Sequence, residues 1–202
     1  MIDTVFGSAA KAFAGLVHEL PASAWDGQGL GDWDLRALVG HASRSLITVS
    51  TYLTTTASQE DVTSPHDYYA KIREYASNAG SAAIIERGRQ AGRDLGPDPA
   101  ATVDALVDRA LGDLDGAGDP LIAVIGGLGI RLSNYLPTRT FELAVHGLDI
   151  VRASGVQFTL PDDVLDQATV LAAGVATAIG QATPVLLALT GRAPLPDPFS
   201  VV

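Results

Sequence analysis

Residues 139–149 read Arg139-Thr-Phe-Glu-Leu-Ala-Val-His146-Gly-Leu-Asp149, and they combine an apolar surface with four regularly spaced polar side chains. A helix turns about 100° per residue, which brings the four polar side chains of the stretch into a sector of roughly 80°: Arg139, Glu142, His146 and Asp149. Apolar residues cover most of the remaining surface, and a helix wrapped in this way is usually buried. A buried carboxylate, imidazole or guanidinium without a partner costs several kcal/mol. The stretch therefore predicts a buried helix whose polar seam needs partners.

Glu142 and His146 are four residues apart, so in a helix their side chains lie one turn apart on the same face. A carboxylate oxygen and an imidazole nitrogen at this spacing can reach one metal ion. The competing interpretation is a buried Arg139–Glu142 ion pair beside a core histidine that is hydrogen-bonded but binds no metal.

A third ligand has few possible sources among the four histidines of the chain. His18 and His66 occupy positions where a solvated side chain is expected, whereas His41 lies beside the apolar face of a predicted helix. In an antiparallel bundle, ligands on facing helices converge in the core. The sequence therefore predicts His41, Glu142 and His146 around one Zn²⁺ or similar divalent ion. Three protein ligands leave a fourth position for water or substrate, as in catalytic zinc sites.

The composition narrows the possible functions. The chain has 202 residues, 47% of them hydrophobic, a net charge of -10 and no cysteine. This length suits one domain, and the negative charge argues against nucleic acid and anionic membranes as partners. A cysteine nucleophile is excluded, so any thiol in the chemistry must come from a cofactor or substrate. We find no signal peptide and no apolar run long enough to span a membrane, so a cytoplasmic location is expected.

Hydrophobic periodicity predicts an all-α fold. Helices are expected over 2–20, from Asp32 or Asp34 to about 56, over 64–91, over 100–114, from about Ser133 to Gly155, over 161–181 and from Pro184 to Leu189. Leu121 to Ile130 is ambiguous and is compatible with a short extended segment leading into a glycine turn. The predicted architecture is an up-and-down bundle of at least four long helices. We expect one domain, with a core of about 1–155 and a helical extension of about 156–202.

Three segments resemble one known family. The segment Gly-Asp-Trp33-Asp-Leu-Arg-Ala-Leu-Val-Gly-His41 is similar to the Gly-Trp-x-x-x-Asp-Leu-x-x-His pattern of the mycothiol-dependent maleylpyruvate isomerase family, which belongs to the DinB-like four-helix bundles. Arg139-x-x-Glu142-x-x-x-His146-x-x-Asp149 is similar to its second block. Leu186-Leu-Ala-Leu-Thr-Gly191-Arg192 resembles the closing motif of small actinobacterial members.

The resemblance implies zinc bound by His41, Glu142 and His146. It also implies that Asp149 orients a ligand imidazole through the other ring nitrogen. Arg139 would be a partner for Glu142 or a contact for an anionic substrate, so Arg139 and Asp149 are the expected catalytic residues. The founding isomerase has an additional C-terminal α/β domain, whereas the sequence after the central helix predicts only short helices here.

Three functions are compatible with these residues. The first is a zinc enzyme in which a low-molecular-weight thiol such as mycothiol adds to a small electrophilic substrate, giving isomerisation or S-transfer. The second is a hydrolase that uses metal-activated water. The third is a non-catalytic bundle that binds a metal or a small ligand. Because DinB-like bundles often dimerise, a homodimer is one expected assembly.

Overall fold

The computed structural model describes residues 4–79 and 81–202, with the side chains of 74–79, 81 and 82 left aside. Within these ranges the chain forms eight α-helices: α1 Thr4–His18, α2 Leu35–Leu53, α3 Pro65–Ala79, α4 Ser81–Asp94, α5 Pro99–Leu114, α6 Leu132–Ser154, α7 Asp162–Ala178 and α8 Ala182–Leu189. The strands β1 Leu121–Ala123 and β2 Gly129–Arg131 pair antiparallel. The all-α fold predicted from the sequence is confirmed.

Four helices form a closed ring around the core, since α1 contacts α5 and α6, and α2 contacts the same two helices. Apolar side chains on all four helices are buried in this core, among them Phe6, Leu38, Val103 and Leu136. The remaining helices pack outside the ring, with α4 on α2, α3 on α6 and α7, and α8 on α7. The arrangement places α2 and α6 side by side, and these are the helices that carry the predicted metal ligands.

Local sequence signals fix the ends of α2 and α6. Of the two expected starts of α2, Asp34 is the N-cap, because its carboxylate accepts a hydrogen bond from the Ala37 amide at 2.7 Å. Gly155 adopts a left-handed conformation with φ of 73° and ends α6. Pro137 lies inside α6, in its second turn, and lacks the N–H that would otherwise donate to the Ser133 carbonyl.

The close approach of α4 to α2 depends on glycine. A Cβ atom on Gly40 would lie 2.2 Å from the Gly92 amide nitrogen, which is too close for any side chain. One on Gly88 would lie 2.5 Å from the Trp33 ring. The two helices therefore pack backbone to backbone, and α4 presses on the residues just before α2.

Periodicity predicts one helix over 64–91 and an apolar, buried surface around α6. Helices α3 and α4 cover the first of these ranges on either side of residue 80; α3 contacts α6 and α7, and α4 contacts α2. Gly80, which separates them in sequence, lies outside the described residues. Leu148, an apolar residue of the stretch that predicts a buried helix, is 46% exposed.

The ambiguous segment 121–130 forms the hairpin. Gly126 and Gly127 have φ values of 73° and 76° and form its turn, in agreement with the interpretation of the glycine run as a turn. The Asp61 carboxylate accepts a hydrogen bond from the Gly129 amide at 2.8 Å, which ties the hairpin to the loop before α3. No helix in the described ranges has the length and apolar character needed to cross a membrane.

Candidate metal centre

His41, Glu142 and His146 come together between α2 and α6. Each offers one ligand atom, and these atoms all lie within 4.8 Å of one another. Adjacent turns of α6 supply Glu142 and His146, and α2 supplies His41 from the facing side. The predicted convergence of these three side chains is therefore confirmed, whereas the binding of a metal ion stays a prediction.

His146 lies between two carboxylates. Its Nε2 is 3.4 Å from Oε2 of Glu142, and its Nδ1 is 3.2 Å from Oδ2 of Asp149. Burial opposes a charge on this ring, but the hydrogen bonds with Asp149 and Glu142 outweigh it and raise the pKa of His146 to about 9. Asp149 therefore holds the ring through Nδ1, as the family resemblance implied, and leaves Nε2 facing the other two ligands.

Glu142 is fixed by groups on two helices. Besides His146, the Tyr69 hydroxyl on α3 donates a hydrogen bond to its Oε1 at 2.7 Å. Burial alone would raise its pKa. The hydrogen bond with His146, the positive charge of Arg139 and the bond from Tyr69 together lower the pKa of Glu142 to about 2. The carboxylate is thus ionised at neutral pH and held in one orientation.

His41 has very different surroundings. Its ring stacks on Trp33 with centroids 4.5 Å apart and meets the His146 ring edge-on at 4.9 Å. Burial, followed by the charge on His146, lowers the pKa of His41 to about 4, so its imidazole is neutral at pH 7. Its Nδ1 is buried with no hydrogen-bond partner. A buried imidazole nitrogen without a partner, next to a carboxylate and a second imidazole, is a donor set that suits Zn²⁺.

Arg139 does not form the ion pair with Glu142 that the competing interpretation required. Its Nε donates to the Thr138 hydroxyl at 3.1 Å, and a terminal nitrogen lies 3.4 Å from the Tyr68 hydroxyl. Its guanidinium also lies over the Tyr135 ring, 4.9 Å from the centroid. The aromatic side chains on α3 and α6 therefore hold this cation, and the carboxylate of Glu142 is free to face the two histidines.

A cavity of about 210 Å³ opens beside the centre. Its lining includes His41, Glu142 and Arg139, all of them predicted site residues. The other polar and aromatic side chains of the lining are Arg44, Thr48, Tyr52, Tyr68, Tyr69, Arg87 and Tyr135. Tyr68 and Tyr69, which are neighbours on α3, both line this cavity.

Sequence analysis missed Arg44, although a signal existed, because Arg44 lies three residues after His41 and so on the same helix face. Of the two tryptophans, Trp33 contacts His41, whereas Trp25 lies under the Arg36 guanidinium at 5.2 Å. His18 and His66 are exposed, as predicted, and His18 pairs with Asp104 at 2.9 Å.

The fold and the clustered ligands define a helical bundle with a candidate three-ligand centre for a divalent cation. Residues 6–151 match the family described as the mycothiol maleylpyruvate isomerase N-terminal domain. This range is more than half of the 202 residues, so the chain belongs to that family. The match includes both the Trp33–His41 and Arg139–Asp149 segments but ends before the proposed closing motif. No curated protein and no solved structure significantly matches this sequence.

Proposed function

We propose that this protein is a metal-dependent enzyme that uses a low-molecular-weight thiol, such as mycothiol, to isomerise a small electrophilic substrate or to transfer sulfur to it. The observation that carries the proposal is the convergence of two imidazoles and one carboxylate next to a cavity, in a chain without cysteine. Membership of a family named for a mycothiol-dependent isomerase supports the thiol.

His41, Glu142 and His146 would hold the cation, most suitably Zn²⁺. When bound, such a cation lowers the pKa of a thiol so that thiolate is present at neutral pH. Neutral His41 and ionised Glu142 are ready to act as ligands, whereas His146 must first lose the proton on Nε2. Asp149 keeps the hydrogen on Nδ1 of His146, which fixes the tautomer in which Nε2 has its lone pair.

The chain's other residues act on the substrate. Thiolate addition to an activated double bond places negative charge on the substrate, and the Arg139 guanidinium in the cavity wall would stabilise that charge. Loss of the thiol after rotation about the resulting single bond gives the geometric isomer. Protonation of the carbon next to the new C–S bond gives the S-transfer product instead. The tyrosine rings that line the cavity exclude water from both reactions.

Metal content of the purified protein and zinc titration test the centre itself. Wild type and the His18→Ala control, which removes an exposed histidine, should bind one Zn²⁺ per chain. His41→Ala should weaken zinc binding by at least about a hundredfold, since even changes to groups that only orient ligands cost about 10- to 100-fold. A wild-type protein that binds no divalent ion would contradict the proposal.

The thiol is tested separately by following thiolate absorbance of mycothiol against pH, with zinc-loaded and chelated protein. The pKa of the bound thiol should fall only with the zinc-loaded protein. If the loaded protein instead cleaves simple esters at a rate that does not depend on added thiol, the hydrolase alternative replaces this proposal.

A further inference from the structure

The cavity beside the metal centre carries an excess of positive charge that the rest of the chain does not share. Three arginines line it, Arg44, Arg87 and Arg139, against one carboxylate, Glu142, in a chain whose net charge is -10. Positive charge gathered in a cleft of an acidic protein attracts anions into it.

Two of these arginines have no acidic partner in the part of the chain that the structure describes. Among the described residues no carboxylate lies within ion-pair distance of Arg44 or Arg87, and the Arg87 side chain donates only to a backbone oxygen of its own helix. Other arginines show the contrast, since Arg93 pairs with Glu86 at 2.6 Å and Arg131 with Glu60 at 3.8 Å. Arg44 on α2 and Arg87 on α4 therefore present unused charge to the cavity from two helices in direct contact.

The remaining lining indicates the body of the ligand. Four tyrosine rings and three isoleucines surround the cavity: Tyr52, Tyr68, Tyr69, Tyr135, Ile72, Ile84 and Ile125. The cavity volume of about 210 Å³ is sufficient for a ligand body of the size of one aromatic ring. This space suits one planar ring or short alkenyl chain with a single small polar group.

We infer that the cavity binds a compact aryl or alkenyl monocarboxylate, with its carboxylate on Arg44 and Arg87 and its apolar body among the tyrosines. Guanidinium groups suit this role because they bind carboxylates through paired N–H donors. The binding of this anion does not depend on the proposed function. Only its role as the electrophilic substrate rests on that proposal. A dicarboxylate is disfavoured, because Arg139 is the one further arginine in the described lining, and the proposed reaction uses it for the charge that develops on the substrate.

Calorimetric titration with matched probes tests the inference on the intact protein. Trans-cinnamate should bind at least tenfold more tightly than trans-cinnamamide, which has the same shape without the charge, and more tightly than fumarate. Arg44→Gln should weaken cinnamate binding by about ten- to a hundredfold, the usual range for a hydrogen bond to a charged group, and leave cinnamamide unchanged. Arg44→Lys should recover part of the loss because it restores the charge without the paired donors.

The matched control is Arg109→Gln, because Arg109 is an exposed arginine on α5 that pairs with Asp113 at 3.7 Å. It should bind all three probes like the wild type, and circular dichroism checks that every variant is folded. Equal affinity for cinnamate and cinnamamide, no binding of either at millimolar concentration, or an unaltered cinnamate affinity in Arg44→Gln would each overturn the inference.

Repeating the titrations with zinc-loaded and chelated protein separates this inference from the proposed function. A preference for cinnamate that survives chelation supports the arginine site, even if the metal proposal fails. If the preference for cinnamate disappears on chelation and is unchanged in Arg44→Gln, the carboxylate binds the metal. This result overturns the arginine site but is compatible with the proposed metal centre.

A carboxylate could also arrive on the thiol. Mercaptoacetate and 2-mercaptoethanol form a second matched pair that distinguishes the two sources. Equal binding of these thiols supports a carboxylate on the electrophilic substrate. An Arg44-dependent preference for mercaptoacetate, without one for cinnamate, would overturn that assignment.

Discussion

The two sides of the candidate metal centre differ in what holds their side chains. On the α6 side, His146 lies between the carboxylates of Glu142 and Asp149, and its pKa is raised to about 9. On the α2 side, His41 stacks on Trp33 and its pKa is lowered to about 4. The rings are only 4.9 Å apart. One ligand is therefore oriented by charge and the other by packing.

The difference shows how a protein can prepare a metal site without repulsion between its ligands. Two protonated imidazoles this close would repel each other, and burial together with the charge on His146 keeps His41 neutral. A divalent cation held by these three side chains would displace a single proton, the one on Nε2 of His146. Binding should release about one proton at neutral pH.

The largest expected effect is on the pH dependence of stability in chelated protein. The folded-state pKa of His146 is raised above its ordinary value of about 6.5, so its contribution is complete below pH 6.5 and is lost as pH rises towards 9. The folded-state pKa of His41 is lowered, so its contribution is complete above pH 6.5 and is lost as pH falls towards 4. Each of these pKa shifts changes the free energy of unfolding by on the order of 3 kcal/mol.

Urea unfolding between pH 4 and 9 measures the free energy of unfolding on both limbs of this pH profile, the one below and the one above pH 6.5. His146→Gln should flatten the limb between pH 6.5 and 9, and His41→Gln the limb between pH 4 and 6.5. The exposed-site variant His18→Gln serves as the control and should leave both limbs unchanged. If either variant flattens the opposite limb, the assignment of the two environments is reversed and the comparison fails.

A smaller effect is expected from removing the charge that orients His146. Asp149→Asn keeps a hydrogen-bond acceptor near Nδ1 but removes the charge, so the pKa of His146 should fall and zinc affinity should drop by about 10- to 100-fold. Imidazole resonances in NMR titrations report the pKa, and competition with a chelator reports the affinity. Asp104→Asn, beside exposed His18, is the matched control. Unchanged zinc affinity in Asp149→Asn would mean that Asp149 has no orienting role.

The sequence predicts the α6 side better than the α2 side for a physical reason. Glu142, His146 and Asp149 are neighbours on one helix, so their contacts follow from the 3.6-residue period alone. His41 was found as a ligand through its apolar helix and the family resemblance. The absence of a partner for its Nδ1 and its contact with Trp33 depend on how separate segments pack. The periodicity of the sequence carries no information about that packing.

The same limit explains what was missed elsewhere. The hydrogen bond from Tyr69 to Glu142 joins residues 73 positions apart, so it follows from how α3 packs on α6 and has no local sequence signal. The hairpin 121–131 depends on contacts with the loop around Asp61 and Val62, since three-residue strands carry little pattern of their own. Helix existence was predicted well, because long amphipathic segments repeat their signal several times.

The smallest expected effect concerns the packing that orients His41. The Trp33 indole N–H donates to the Ile85 carbonyl on α4 at 2.9 Å, and Gly88 leaves room for the ring. Trp33→Phe keeps an aromatic ring beside His41 but loses this hydrogen bond, so the free energy of unfolding should fall by about 1 kcal/mol. Zinc affinity should weaken only a few-fold, because the stacking that orients the imidazole is kept.

Trp25→Phe is the matched control for this change, because Trp25 contacts Arg36 and not His41. It should leave zinc affinity unchanged, and chemical unfolding with and without zinc measures both quantities in both variants. A hundredfold loss of zinc affinity in Trp33→Phe would mean that the bond to Ile85, and with it the position of α4, sets the orientation of His41. The orientation of His41 would then depend on the hydrogen bond that fixes Trp33, and not on the stacking of the two rings.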